Sequence, residues 1–210
     1  PDALDNKKIC KAELQKMLGL PVKDVPMIAM ITRLVSHKGF DLVKCVLDEL
    51  LATEDVQVIA LGSGDWQYES FFKDLAARHS GKVGLWIGFV PDLAQKIYAG
   101  SDIFLMPSKS EPCGLSQMVA LRYGTVPIVR ETGGLYDTIK PFNEYTGEGN
   151  GFSFTNYNAH DMMAVIKYAI EVYNKKQKWA ALRRKVMKVD FSWTASAKKY
   201  VKLYEDMLNS

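Results

Sequence analysis

Four residues, Glu111, Pro112, Cys113 and Gly114, lie between an apolar run at 103–106 and a helix-forming run at 115–122. That order predicts strand, tight loop, helix, and in an open α/β sheet such a loop borders the ligand crevice. Glu111 offers a carboxylate that accepts hydrogen bonds from sugar hydroxyls. Gly114 has no side chain, so a ligand can approach its backbone. The helix beginning there points free N–H groups and a positive dipole end at the loop, which suits a phosphate, and Ser116 adds a hydroxyl. A seat for hydroxyls beside a seat for an anion points to a sugar nucleotide.

Two cations belong to the same chemistry. Arg33 follows an apolar run at 27–32, and Lys38 stands just before the next helical pattern. Fixed positive groups there grip a diphosphate and stabilise the charge that grows on it as it leaves; ordinary surface cations are the plain alternative. No D-x-D string and no metal-spaced cluster of His, Cys, Asp or Glu occurs, so no metal is expected. Gly62-Ser63-Gly64 lacks the third glycine of a dinucleotide fingerprint, since position 67 is Gln, and there is no phosphate loop of the G-x-x-x-x-G-K-[ST] type. Thr132, Gly133 and Gly134 before a short helix are a second anion cradle or a plain turn. Phe89 is a base-stacking ring or a core residue. Cys113 has no nearby His to activate it except His37 on another loop, which argues against a nucleophile.

The elements that position these residues follow from apolar patterning. Strands are predicted at 27–32, 56–61, 83–87, 102–106, 126–129 and 151–154. Helices are predicted at 5–18, from 39 to about 52, 66–79, 91–98, 115–122, near Leu135, and at 159–174, 176–187 and 194–208. Residues 140–151 read as a flexible surface loop. Short buried strands alternating with helices specify an α/β, doubly wound parallel sheet of Rossmann type. Right-handed crossovers put every strand-to-helix loop on one rim. One domain, 1–210, is expected.

Composition narrows the classes. The 210 residues are 48% hydrophobic and 24% charged, with a formal net charge of +3. This is too mild for a nucleic-acid binder, and the basic stretch at 175–188 reads as a solvated helix face. No run is long enough to span a membrane. Three cysteines without regular spacing imply a reducing compartment, with Cys10 and Cys45 as packing residues. The chain begins at Pro1, which reads as an excised piece.

The strings TRLVSHKGFDL (32–42), LGSGD (61–65), SDIFLMPSKSEPCGLSQMVALRYGTVPIV (101–129), ETGGLYDTI (131–139) and DFSW (190–193) resemble the C-terminal half of bacterial glycogen synthases and plant starch synthases. The resemblance covers essentially the whole chain, in order. It implies one half of a two-domain GT-B fold. It also implies a retaining transfer of glucose from ADP-glucose to the non-reducing end of an α-1,4-glucan, without a metal or other cofactor.

By resemblance, Arg33 and Lys38 bind the diphosphate and Glu111 the donor glucose, so these three carry the catalysis. Cys113, Gly114 and Leu115 line sugar and phosphate, Ser116 takes a phosphate-binding hydroxyl's place, and Phe89 stands where an aromatic, often Tyr, lies near the adenine. Val119 stands where many relatives in the wider group carry a second Glu, a departure that fits glycogen synthases better than that group. Expected partners are the donor, the glucan and an N-terminal domain that this chain does not include; alone, the piece is expected to be inactive. The setting would be the cytoplasm of a bacterium or the stroma of a plant plastid. A UDP-glucose enzyme and a non-catalytic nucleotide- or glucan-binding module are the alternatives. An apolar stripe of Tyr200, Leu203, Tyr204, Met207 and Leu208 is expected to be partly exposed, or covered by a second copy.

Overall fold

The computed structural model describes residues 4–209. Its six strands are β1 (Met27–Ile31), β2 (Gln57–Gly62), β3 (Val83–Ile87), β4 (Ile103–Met106), β5 (Val126–Arg130) and β6 (Phe152–Phe154). They form one sheet in the order β3-β2-β1-β4-β5-β6, every pair parallel. Between them run α1 (Leu4–Met17), α2 (Phe40–Thr53), α3 (Trp66–Arg78), α4 (Pro91–Gly100), α5 (Ser116–Arg122) and α6 (Gly133–Thr138), followed by α7 (Ala159–Asn174), α8 (Lys176–Val186) and α9 (Trp193–Leu208). The sheet is wound outward in both directions from the β1–β4 pair, so that pair is the topological switch point where ligands bind in such folds.

Side-chain alternation explains why both faces are covered. On β1, Ile28 and Met30 enter one core with α2, α3, α7 and α8, while Met27, Ala29 and Ile31 enter the other with α1 and α4. A strand buried on both faces needs the continuous apolar run that the sequence shows. On α2, Leu42, Val43, Val46, Leu47, Leu50 and Leu51 are buried at helical spacing. Each such side chain contributes about 1.5–3 kcal/mol, well beyond the few tenths that separate helix propensities, so burial decides this helix.

Three expectations need correction. Cys45 is exposed and Cys10 half-buried, because Cys45 shares the outer face of α2 with Lys44 and Asp48. The basic stretch is only partly a solvated face. Lys175 and Lys178 hold Glu144 at 2.6 and 3.0 Å, and Lys185 donates to the Gly147 carbonyl at 2.7 Å. Arg183 turns inward toward Asp102 and Tyr173, and desolvation pushes its pKa down. The loop at 140–151 is therefore cross-braced: Phe142 is buried, and Asn150 caps Lys140 N at 2.7 Å and donates to Thr138 O at 2.9 Å. By contrast, the α9 stripe is exposed, in line with the expected partial exposure, each of its five residues by half or more. No helix among the described residues is long and apolar enough to cross a membrane.

At the opposite end of the sheet from the rim, the buried Lys7 ammonium donates to Tyr98 O at 3.0 Å, Ala99 O at 2.9 Å and Thr125 Oγ1 at 2.7 Å. Burial, with nearby Arg183, lowers its pKa from the usual 10.5 to about 7. Between those values the unfolded chain binds the extra proton, so this group makes stability rise with pH above about 7. Urea unfolding at pH 7 and pH 9 is expected to show a larger gain for the parent than for Lys7→Met; equal gains would refute the coupling.

Candidate functional site

The loops that leave the carboxyl ends of β1, β3, β4 and β5 carry the site residues singled out from sequence, and Gly62-Ser63-Gly64 closes β2 beside them. After β1 the chain runs through Arg33 and a short 3-10 turn, Ser36–Lys38, before α2 begins. After β4, Pro107 leads into the loop that carries Glu111. The two loops are stitched together where Lys109 N donates to His37 O at 2.9 Å. Beside that stitch, Lys38 Nζ meets Glu111 Oε2 at 2.5 Å, with side chains only 19% and 11% exposed. Ser108 Oγ touches the same oxygen at 3.4 Å. Residues 73 apart in sequence thus form one largely buried ion pair at the switch point.

Next to the pair lies a cleft of about 360 Å³ lined by Thr32, Arg33, Ser63, Phe89, Tyr98 and Ser116, among others. Phe89 is 70% exposed, which rules out the core alternative and leaves its ring free for stacking. Arg33 is exposed. Lys38 lies outside this cleft but shares Ile31 and Thr32 with it through a small adjoining recess. The two cations therefore flank one place rather than pointing together into it. A larger depression of about 600 Å³, between α5 and residues 188–192, has no rim residue in its lining. The smaller cleft is the candidate site because a cation, an aromatic face and a hydroxyl converge there at the strand ends.

The glycine-rich strings do structural work around it. Gly114 has φ +71°, and a Cβ there would lie 2.6 Å from Gln117 Oε1, so the backbone and a buried neighbour already demand glycine before any ligand does. Gln117 in turn donates to Gly114 O at 2.9 Å and Thr138 Oγ1 at 3.1 Å. The Gly134 N–H, a proposed anion donor, is engaged by Glu111 O and Pro112 O, both at 3.2 Å. A Cβ on Gly134 would sit 2.0 Å from Cys113 O. Thr132-Gly133-Gly134 is thus a shelf under the Glu111 loop, which leaves Cys113 and Leu115 exposed above it.

Sequence reasoning missed Tyr98. Its phenol hydrogen-bonds Ser116, which partly offsets burial's upward push on its pKa, and its ring stacks on Tyr123 with centroids 6.0 Å apart. Tyr98 lies on the buried face of α4, the signal that could have found it. Arg130 was also missed, because its bonds reach across more than twenty residues. Among the described residues no group of three or more His, Cys, Asp or Glu side chains comes together.

The family model for glycosyl transferases group 1 matches residues 13–186. The chain belongs to this family. It is 54% identical over 205 residues to the glycogen synthase of Geobacillus thermodenitrificans, and 56% identical over 207 residues to that of Clostridium acetobutylicum. These stretches cover 97% and 98% of the chain but only 42% and 43% of those proteins, so the chain spans less than half their length. Among solved structures, the catalytic domain of starch synthase IV from Arabidopsis thaliana, bound to ADP and acarbose, superposes with a TM-score of 0.84 at 35% identity, over 97% of this chain and 43% of that one. The C-terminal domain of a group 1 glycosyl transferase from Francisella tularensis, 17% identical with a TM-score of 0.60 over 85% of this chain and 87% of that one, shares the fold. The expected GT-B type of α/β domain is thereby established.

Gly134→Ala is expected to push the Glu111–Cys113 loop outward and to lower the thermal midpoint by several degrees. A melting curve checks this; a parental midpoint would show that the shelf has slack.

Proposed function

We propose that the chain is the donor-binding half of a retaining glucosyltransferase that moves glucose from ADP-glucose to the non-reducing end of an α-1,4-glucan. The observation that carries this reading is the pairing of Lys38 with Glu111 beside the cleft of Arg33, Phe89 and Ser116, at the switch point. The similarity to glycogen synthases and to a starch synthase bound to ADP supports adenine as the donor base. The chain spans less than half the length of those relatives, which supports the reading that a second domain supplies the rest of the active site.

In this reading the adenine stacks on Phe89, and Arg33 with Ser116 holds the diphosphate. Lys38 turns from Glu111 to the phosphate as the donor arrives, releasing the carboxylate to accept hydrogen bonds from the glucose hydroxyls. The anomeric carbon–phosphate oxygen bond breaks with both electrons going to ADP, and positive charge develops on the sugar. The acceptor hydroxyl attacks from the same face and gives its proton to the departing phosphate. Cationic side chains do the work that a metal does in other transferases, since charge on the leaving group is what they meet.

ADP is expected to bind the chain in a calorimetric titration, with at least about 10-fold weaker binding for Arg33→Ala and for Lys38→Ala. Tighter binding of UDP than ADP would overturn the adenine assignment; unchanged binding in both variants would remove the rim cations from the site. In the complete enzyme, Lys38→Ala is expected to cut turnover more than ~10-fold if it stabilises the leaving group. A turnover number equal to the parent's would take it out of the mechanism.

A further inference from the structure

We propose that Arg130, the last residue of β5, is a positioning residue that aims Glu111 at the donor by clamping the backbone behind it. This deepens the reading above, because it rests on Glu111 facing the donor sugar. Between Met106 and Glu111 the chain has left the sheet, and the carbonyls of Ser108 and Lys109 have no strand to pair with. Arg130 meets both: Nε donates to Ser108 O at 2.9 Å and Nη2 to Lys109 O at 2.5 Å. Its third arm, Nη1, reaches Thr155 O at 3.4 Å, and the guanidinium lies 5.7 Å from the Tyr157 ring. The clamp is thus anchored on the exit of β6.

The same loop is held from the other side. Lys109 N donates to His37 O at 2.9 Å, one residue before Lys38. Lys109 is therefore gripped through its carbonyl by Arg130 and through its amide by the β1 loop, with Ser108 fixed beside it. Ser108 Oγ contacts Glu111 Oε2 at 3.4 Å, and that oxygen takes Lys38 Nζ at 2.5 Å. A shift of the Ser108–Lys109 backbone is transmitted to Glu111 and Lys38 together. A planar fork grips two successive carbonyls in fixed directions; a lysine ammonium on a flexible stem fixes neither direction.

The clamp's bond to Lys109 lies at the surface, so water can replace it without unfolding the sheet. Misplacing a reacting group by about an ångström costs on the order of 10²-fold in rate. A comparable clamp far from the rim supplies the control: Lys82 Nζ donates to Leu51 O at 2.7 Å and Glu54 O at 2.8 Å.

The test compares Arg130→Lys, Lys82→Met and the parent in the complete enzyme, with ADP-glucose and a glucan primer. Arg130→Lys is expected to lower kcat by about 10- to 100-fold, leave the KM for the glucan unchanged and leave the melting midpoint close to the parent's. Lys82→Met should keep its kcat. In a Glu111→Gln background, Arg130→Lys should cost little more, because both changes act through one carboxylate. Amide hydrogen exchange at Lys109 should quicken in Arg130→Lys while the sheet keeps its protection. Parental kcat, a full multiplicative loss in the Glu111→Gln background, or faster exchange across the whole sheet would each overturn the proposal. A parent that ignores ADP-glucose would count against the donor assignment alone. A Lys109 amide as protected in Arg130→Lys as in the parent would count against the clamp.

Discussion

Parallel strands all deliver their chain at the same edge, and at one point in this sheet the winding reverses. Between β1 and β4 the connecting loops are forced apart, one bending toward α2 and the other toward α5. Everything functional hangs on that divergence. It opens the cleft, sets Arg33 and Glu111 on neighbouring strand ends, and lets a backbone bond from Lys109 to His37 bridge what the topology has separated. Without the reversal, the same residues would be spread along a continuous rim with no recess to face.

The charges at the rim are largely compensated from within. Lys38 and Glu111 neutralise one another, Arg33 is left to solvent, and the cleft wall is otherwise aromatic and hydroxylic. With so little of either side chain exposed, separating the pair costs desolvation that a new partner must make good. In the proposed reading an incoming anion would compete for the lysine and so free the carboxylate. Charge recognition and hydroxyl recognition would then be linked through that single contact.

Much of this was legible in the chain. Strands buried on both faces announce themselves as continuous apolar runs, and all six lie within a residue of their expected bounds at either end. The rim residues were legible because a strand end followed by a polar turn has only one place to go in a doubly wound sheet. Cys45 was misread because the usual burial of cysteine outweighed the helical phase, although Val46 and Leu47 on one side and Val43 on the other already assign the inner face. The stretch at 140–151 was legible as a surface loop, but its bracing was not. Periodicity reports which residues are buried, but not that Glu144 will find Lys175 across 31 positions. Arg130 was invisible for the same reason: an arginine at a strand end carries no mark of the carbonyls it will meet.

The Glu111 loop rests on main chain, with Gly134 pressed against Cys113 O and the Gly134 amide spent on two carbonyls. The scaffold of the cleft is thus largely independent of the side chains that face into it. Phe89, exposed on that frame, is not part of the packing that gives it its shape. In the proposed reading a lineage, or an engineer, could exchange that ring and retune which nucleotide is welcome, while the geometry that presents the sugar would be inherited unchanged.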